Sequence, residues 1–458
     1  MRSSKSQILS RVHAIPAVRF CDHTLTSSSG MVLFQLLFDH LDLRSKLRHC
    51  FRHLRDRGDF KFPELFLVLV IHILLGYRKL DDIKYYRDDP VALRAAGLRR
   101  FPDDSTLSRR LRAVDMAAVE RVQTMVRDLV IDRLKSERLS RVTLDFDGSV
   151  CSTRRHAEGT AVGYNSKRKG ERSYYPLLCT VAQSGQILDV LPRSGNVHDS
   201  NGSLELITDC VMAVASQLPS AVIESRFDSA FFSENTVFLL TGLGTEFTIS
   251  VPFERLTELK RTIEERQRWR RIDDTWSYFE MNWCPKKWDQ PARFVFLRQK
   301  STRRNPGPLQ LDLFEPRTAE YQYKVLVTNK TVSARKVMEF HHGRGSQEGI
   351  IGEAKSAAML DYVPTRSWAG NQMYMQASLL AHNLTRELQM QTQPRSYRNA
   401  PKRPALWTFE KLETVRNRLI RRAGRLHSPD GKLMLTMSAN AAVQEDYERI
   451  MQTLQAAA

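Results

Sequence analysis

Arg344, Glu348 and Lys355 stand at i, i+4 and i+11 in the stretch His341-His342-Gly343-Arg344-Gly345-Ser346-Gln347-Glu348 that continues through Ile350 and Ile351. On a helix those steps keep the three side chains on one narrow stripe, with the isoleucines turned elsewhere. A solvated, salt-bridged helix face has the same charges. Two further carboxylates set this stripe apart. Val142, Leu144 and Phe146 alternate with Thr143, Asp145 and Asp147, as in a half-buried strand whose polar face ends in acids. Residues 222–227 read as another strand, which delivers Asp228 at its end. Two strand-end aspartates and a helix glutamate suit a pair of hard divalent cations. Held about 3.5–4 Å apart, two such ions clamp an in-line displacement at phosphorus. Arg344 would then hold phosphate oxygens through its fork and Lys355 as a point charge.

The elements that must position these groups change character along the chain. Residues 1–138 read mostly as helix, with a buried segment at 65–75 entered through Pro63. After Asp103-Asp104-Ser105-Thr106 comes a helix with Leu107 and Leu111 inward and Arg109, Arg110 and Arg112 outward. Short helices with a capped, Arg-bearing second member fit either a helix-turn-helix or a plain basic bundle. From 139 to 254 the pattern is three strands, helix, strand, helix, strand. That is an α/β layer with carboxylates at strand ends, where such sheets carry their sites. Residues 255–321 form a β-rich insertion holding Trp276, Trp283 and Trp288 and a Pro/Gly loop at 305–308. The α/β pattern resumes over 322–390 with the acidic helix, and 391–458 is a basic helical tail containing Arg416, Arg421 and Arg422.

Composition narrows the partners. With 70 Lys plus Arg against 51 Asp plus Glu, the formal charge of the 458 residues is +19, which points to a polyanion, nucleic acid above all. The longest apolar run has eleven residues, too short to span a bilayer, so no membrane partner is expected. Six scattered cysteines without a C-x-x-C pair read as reduced thiols of a cytoplasmic protein. The best electrostatic contacts to DNA are the N-terminal helices, with Arg109 and Arg110, and the tail, with Arg416, Arg421 and Arg422.

Leu144-Asp145-Phe146-Asp147-Gly148-Ser149, Gly163-Tyr164-Asn165 through Tyr175-Pro176-Leu177, Gly195-Asn196-Val197-His198-Asp199 and Arg226-Phe227-Asp228-Ser229-Ala230-Phe231 follow one another in this order. Together with Arg344, Glu348 and Lys355 they resemble the DDE transposases of bacterial insertion sequences, in particular the cut-and-paste group with a Tyr-x2-Arg-x3-Glu-x6-Lys pattern. The resemblance covers about residues 140 to 390. It implies an α/β, RNase H-like mixed sheet flanked by helices, with a β-rich insertion before the acidic helix, to which the helices and charge of residues 1–138 add a helical N-terminal DNA-binding region. It also implies two Mg²⁺ or Mn²⁺ ions, terminal inverted repeats and target DNA as partners, a homodimer on DNA, and a nucleoid-associated bacterial protein.

By position, the metal-binding catalytic acids would be Asp147, Asp228 and Glu348. Asp145 competes with Asp147 and Glu353 with Glu348, although only Glu348 has Arg four before it and Lys seven after it. His341 stands where the family has Tyr, a departure that makes its expected phosphate contact sensitive to pH. The implied route is strand cleavage by water, attack of the freed 3′-hydroxyl on the opposite strand to give a hairpin, hairpin opening and transfer into target DNA. A bent hairpin needs an unstacked base, and Trp276, Trp283 or Trp288 could receive it by stacking, though packing in the core of the insertion is the simpler role for each. A DNA-binding protein with a decayed core, and a nuclease of the same fold, are the competing functions.

Overall fold

The alternating run after residue 140 forms β1 (Arg141–Gly148), the strand around which a nine-stranded sheet is arranged. This computed structural model describes residues 13, 15–55, 58–163, 165, 168–198, 201–300, 321–398 and 400–456. Tyr164, Asp199 and the Pro/Gly loop at 305–308 lie outside the described residues.

The further strands are β2 (Leu177–Val181), β3 (Ile187–Leu191), β4 (Val222–Phe227), β5 (Glu246–Val251), β6 (Arg270–Arg271), β7 (Trp276–Trp283), β8 (Ala292–Lys300) and β9 (Tyr321–Thr328), in the spatial order β6-β7-β8-β9-β5-β4-β1-β2-β3. β2 runs antiparallel to β1 and β3 antiparallel to β2, while β4 and β5 are parallel to β1 and to each other. That mixed order, three antiparallel strands followed by two parallel ones, is the RNase H-like sheet. The β-rich stretch is continuous with it: β9 pairs antiparallel with β5, Val325 opposite Val251, so β6 to β9 extend the same sheet.

Helices cover both faces. In the N-terminal part lie α1 (Met31–His40), α2 (Leu43–Phe51), α3 (Phe62–Leu75), α4 (Pro90–Ala96), α5 (Asp104–Arg112) and α6 (Met116–Ser136). The sheet region contributes α7 (Ser203–Gln217), α8 (Glu234–Gly242), α9 (Thr257–Glu265), α10 (Ala334–His342) and α11 (Gly345–Ser356), followed by α12 (Trp368–Thr392) and α13 (Ala441–Ala456). α12 is buried along nearly its whole length, Gly370 to Met390, and packs against α3 and α6. Apolar residues of α1 to α6, α11, α12 and α13 form one continuous core, which also takes in Leu178, Ile187 and Val190 of the sheet. A second core lies on the face where Phe146 and Phe227 stack at 5.0 Å. Among the described residues no helix is long and apolar enough to cross a membrane.

Candidate active site

Register decides the chemistry of the β1–β4 seam. Arg141 is paired with Val222, Thr143 with Glu224 and Asp145 with Arg226. Side chains two apart on a strand share a face, so the odd residues of β1 meet the even residues of β4 on the side away from the two phenylalanines. The first rung is ionic: Arg141 lies 2.8 Å from Glu224, whose other oxygen accepts from the Thr143 hydroxyl at 3.1 Å. Arg403 at 2.8 Å and Lys330 at 2.7 Å complete the Glu224 shell. Burial would raise the Glu224 carboxyl, but these cations outweigh it and hold its pKa at about 2.

In the second rung Arg226 grips Asp145 through two parallel hydrogen bonds of 2.6 and 2.7 Å, with both side chains at 0% exposure. Burial pushes the Asp145 carboxyl up, and the Arg226 fork opposes it. Continuing the register by two residues brings Asp147 and Asp228 to the third rung, and there both partners are acids. Their side chains are 22% and 36% exposed. Adjacent like charges are unfavourable without a cation, and Arg344 brings one from outside the sheet. Arg344 Nη2 lies 3.1 Å from Asp147 and 3.7 Å from Asp228. Asp145 is thus a committed ion-pair partner, whereas Asp147 opens to solvent.

The helix bearing Arg344 is fixed by its neighbours. A β-carbon at Gly343 would overlap the Lys402 carbonyl, so only glycine lets the chain pass there. Arg344 is the N-cap of α11 and Glu348 lies in its exposed first turn, about 6 Å of rise further on. Gln347, fully buried, donates to the Asp145 carbonyl at 2.7 Å. Lys355 donates to Ser149 Oγ at 3.1 Å and to the Val150 carbonyl at 2.6 Å, a clasp between α11 and the end of β1. Glu353, the alternative to Glu348, is buried: it pairs with Arg386 at 2.6 Å and accepts the Leu412 amide. Asp147, Asp228 and Arg344 are therefore together, with Glu348 one turn away. Among the described residues no three His, Cys, Asp or Glu side chains are gathered as a metal-binding group.

Of the side chains expected to contact DNA, His341 and Arg416 are buried and the others are partly buried or exposed. His341 is 3% exposed, with Nδ1 on the Thr248 hydroxyl at 3.0 Å and Nε2 on the Ser250 hydroxyl at 2.9 Å. Burial first, then the charges of Lys324 and Arg344, hold its pKa well below the ordinary imidazole value. It is a neutral brace docking α10 onto β5, with no nitrogen left for phosphate. Arg416 is 1% exposed and donates to the carbonyls of Ile73, Leu74 and Ala357, tying the tail to the end of α3. Arg110 stacks over Phe62 at 4.9 Å and donates to the Phe60 carbonyl, while Arg109 is exposed. Arg421 is exposed but contacts the Leu75 carbonyl and Glu413, and Arg422 donates to the Arg418 carbonyl. The three tryptophans are partly buried, Trp276 against His342 and Trp283 and Trp288 against Phe294.

Two residues escaped the sequence reading. Arg226 was visible only as part of a motif, although its spacing two before Asp228 mirrors Asp145 two before Asp147. Lys324 is the single charge inside the otherwise uncharged strand β9.

A family model described as transposase DDE domain group 1 matches residues 16–458. No curated protein matches the sequence. Among solved structures, a piggyBac transposase synaptic complex with hairpin DNA, studied by cryo-electron microscopy, is similar over 85% of this chain and 78% of that chain, at 13% identity and a TM-score of 0.41.

Proposed function

The chain belongs to the transposase DDE domain group 1 family, and we propose that it is the transposase of a bacterial insertion sequence, cutting and joining element ends by metal-dependent phosphoryl transfer. The observation that carries this reading is the third rung of the β1–β4 ladder, where Asp147 and Asp228 both lie against the guanidinium of Arg344. The donor set fits a hard divalent ion: two partly exposed carboxylates, already bridged by a positive group, with a third carboxylate one turn along α11. Asp147, Asp228 and Glu348 would hold two Mg²⁺ or Mn²⁺ ions, which supply charge neutralisation at the phosphate and a more acidic attacking hydroxyl.

The chain's own residues then have separate tasks. Arg344 leaves the carboxylates for a phosphate oxygen of the DNA, exchanging one anionic partner for another. Lys355 and Gln347 keep α11 in register with β1, and His341 fixes the helix that precedes it. Water cleaves one strand, the freed 3′-hydroxyl attacks the opposite strand to close a hairpin and release the flanking DNA, and a second water opens that hairpin before transfer to target DNA. The partners on this reading are double-stranded DNA, with terminal inverted repeats and a target, bound by a homodimer in the bacterial nucleoid. Exposed basic residues such as Arg109 supply the DNA contacts within 1–138, and those outside the Arg416 anchor do so within 391–458.

The test is incubation of the full chain with DNA from both flanks of its gene and Mg²⁺, followed on denaturing gels. New 3′ ends and a hairpin species are expected. They should fall more than about 100-fold, beyond the loss typical of outer-shell metal partners, in Asp147→Asn, Asp228→Asn or Glu348→Gln, with DNA binding retained. A wild-type chain that shifts the DNA without new ends is a binder only, and one that cuts without joining is a nuclease.

A further inference from the structure

Beside the acid pair lies a cavity that the roles above leave unused. Its volume is about 660 Å³, within the range of roughly 300–1,000 Å³ usual for ligand sites. Lys324, Tyr323 and Ser250 line it, together with Ser229, the residue after Asp228, and Arg255 near its rim. Among the described residues of the lining Glu254 is the one carboxylate, and it is exposed. Leu326 is paired with Ser250 and Thr328 with Thr248, so Lys324 projects from the sheet face that also carries the two hydroxyls holding His341.

Lys324 is half-buried, yet among the described residues its ammonium has neither a hydrogen-bond nor an ion-pair partner. Arg141, Arg226, Lys330 and Arg403 of the same sheet region each rest on a carboxylate. Burial and then the charge of Arg344 press the Lys324 pKa below the ordinary lysine value, and no described carboxylate offsets them. A partly desolvated cation beside a second cation calls for an anion. The hydroxyls and the aromatic ring that line the cavity with it suit a phosphate with its sugar.

We infer that this cavity is a phosphodiester subsite in which Lys324 holds a DNA phosphate neighbouring the one acted on at Asp147 and Asp228. The inference rests on the transposase reading and adds to it a positioning residue outside the acidic helix. Lys324 sets where the strand lies and takes no part in the bond changes.

The experiment uses the full chain, a fluorescein-labelled duplex from the gene's flank, and EDTA to prevent cleavage, with affinity measured from 50 to 200 mM salt. Lys324→Gln should bind roughly tenfold more weakly, as for loss of one charge-assisted hydrogen bond. Its salt slope should flatten by about 0.9, as for one phosphate contact. Lys324→Arg should restore most of both. Methylphosphonate substitution at each phosphate in turn should weaken wild type at one position where Lys324→Gln is insensitive. Thermal melts of both variants show whether the fold is kept, and the slope and the methylphosphonate position are readouts that a packing role would not move. A Lys324→Gln protein equal to wild type in slope and affinity overturns this inference alone, as does an unfolded Lys324→Gln with a folded Lys324→Arg that binds without any single sensitive phosphate. A wild-type chain that binds no duplex overturns the transposase reading along with it.

Discussion

The two ends of the β1–β4 seam treat charge in opposite ways. At the beginning, Glu224 is fully buried and meets Arg141, Lys330 and Arg403, and Asp145 in the middle meets a two-pronged Arg226. At the far end, Asp147 and Asp228 both contact Arg344 and are partly exposed, and among the described residues the nearby Lys324 has neither a hydrogen-bond nor an ion-pair partner. A buried charge with its full set of partners holds strands in register. Two like charges side by side and open to water are where a cation would be favoured. The same face of the same two strands thus changes from buried ion pairs to a partly exposed pair of acids within four residues.

This contrast can be broken by mutation. Arg226→Leu should cost the most, about 3–5 kcal/mol, because it leaves Asp145 buried without its partner, whereas Asp228→Asn should leave the urea midpoint unchanged or raise it by relieving like-charge repulsion. Equal destabilisation by the two would erase the distinction between the ends. The acid limb of stability sharpens it further. Glu224 has a folded pKa of about 2 against an ordinary 4.5, so its contribution is full above pH 4.5 and is lost as the pH falls towards 2. The size is about 3 kcal/mol. Glu224→Gln should abolish that part of the acid titration in equilibrium melts, while Asp147→Asn should not. The buried neutral imidazoles His72 and His382, lowered to about 4 chiefly by desolvation, act in a different window. Their contribution is present above pH 6.5 and declines down to about pH 4 in every variant. The smallest effect is expected at Arg344. Arg344→Ala should lower stability by about 1 kcal/mol in EDTA, and Mn²⁺ should raise its melting temperature more than that of wild type, since a ligand stabilises in proportion to its affinity for the folded form. A metal response no greater than that of wild type would mean that Arg344 does not stand where a cation goes.

Much of this arrangement is visible in the sequence because strand alternation has a period of two. Asp145 and Asp147 had to share a face, Asp228 had to leave the end of a strand, and Arg344, Glu348 and Lys355 had to share a helix stripe, which Lys355 turns towards Ser149 at the end of β1. The ladder itself was hidden. Whether Arg226 faces Asp145 depends on the register between strands about eighty residues apart, which no local pattern fixes. The basic tail shows a related limit: counting charges gives the sign of a surface but does not identify an arginine whose guanidinium caps buried carbonyls, as Arg416 does at the end of α3. His341 followed the family position, yet the Thr248 and Ser250 hydroxyls that neutralise its role are on a strand some ninety residues earlier.

The most direct test is a Mn²⁺ titration of the metal-stripped full chain, with free ion followed by electron paramagnetic resonance, in wild type and in Asp147→Asn/Asp228→Asn. Saturable binding in wild type that disappears in the double variant, with melting behaviour preserved, is the predicted result. Undiminished Mn²⁺ binding by the double variant would contradict the assignment of the acid rung as the cation site.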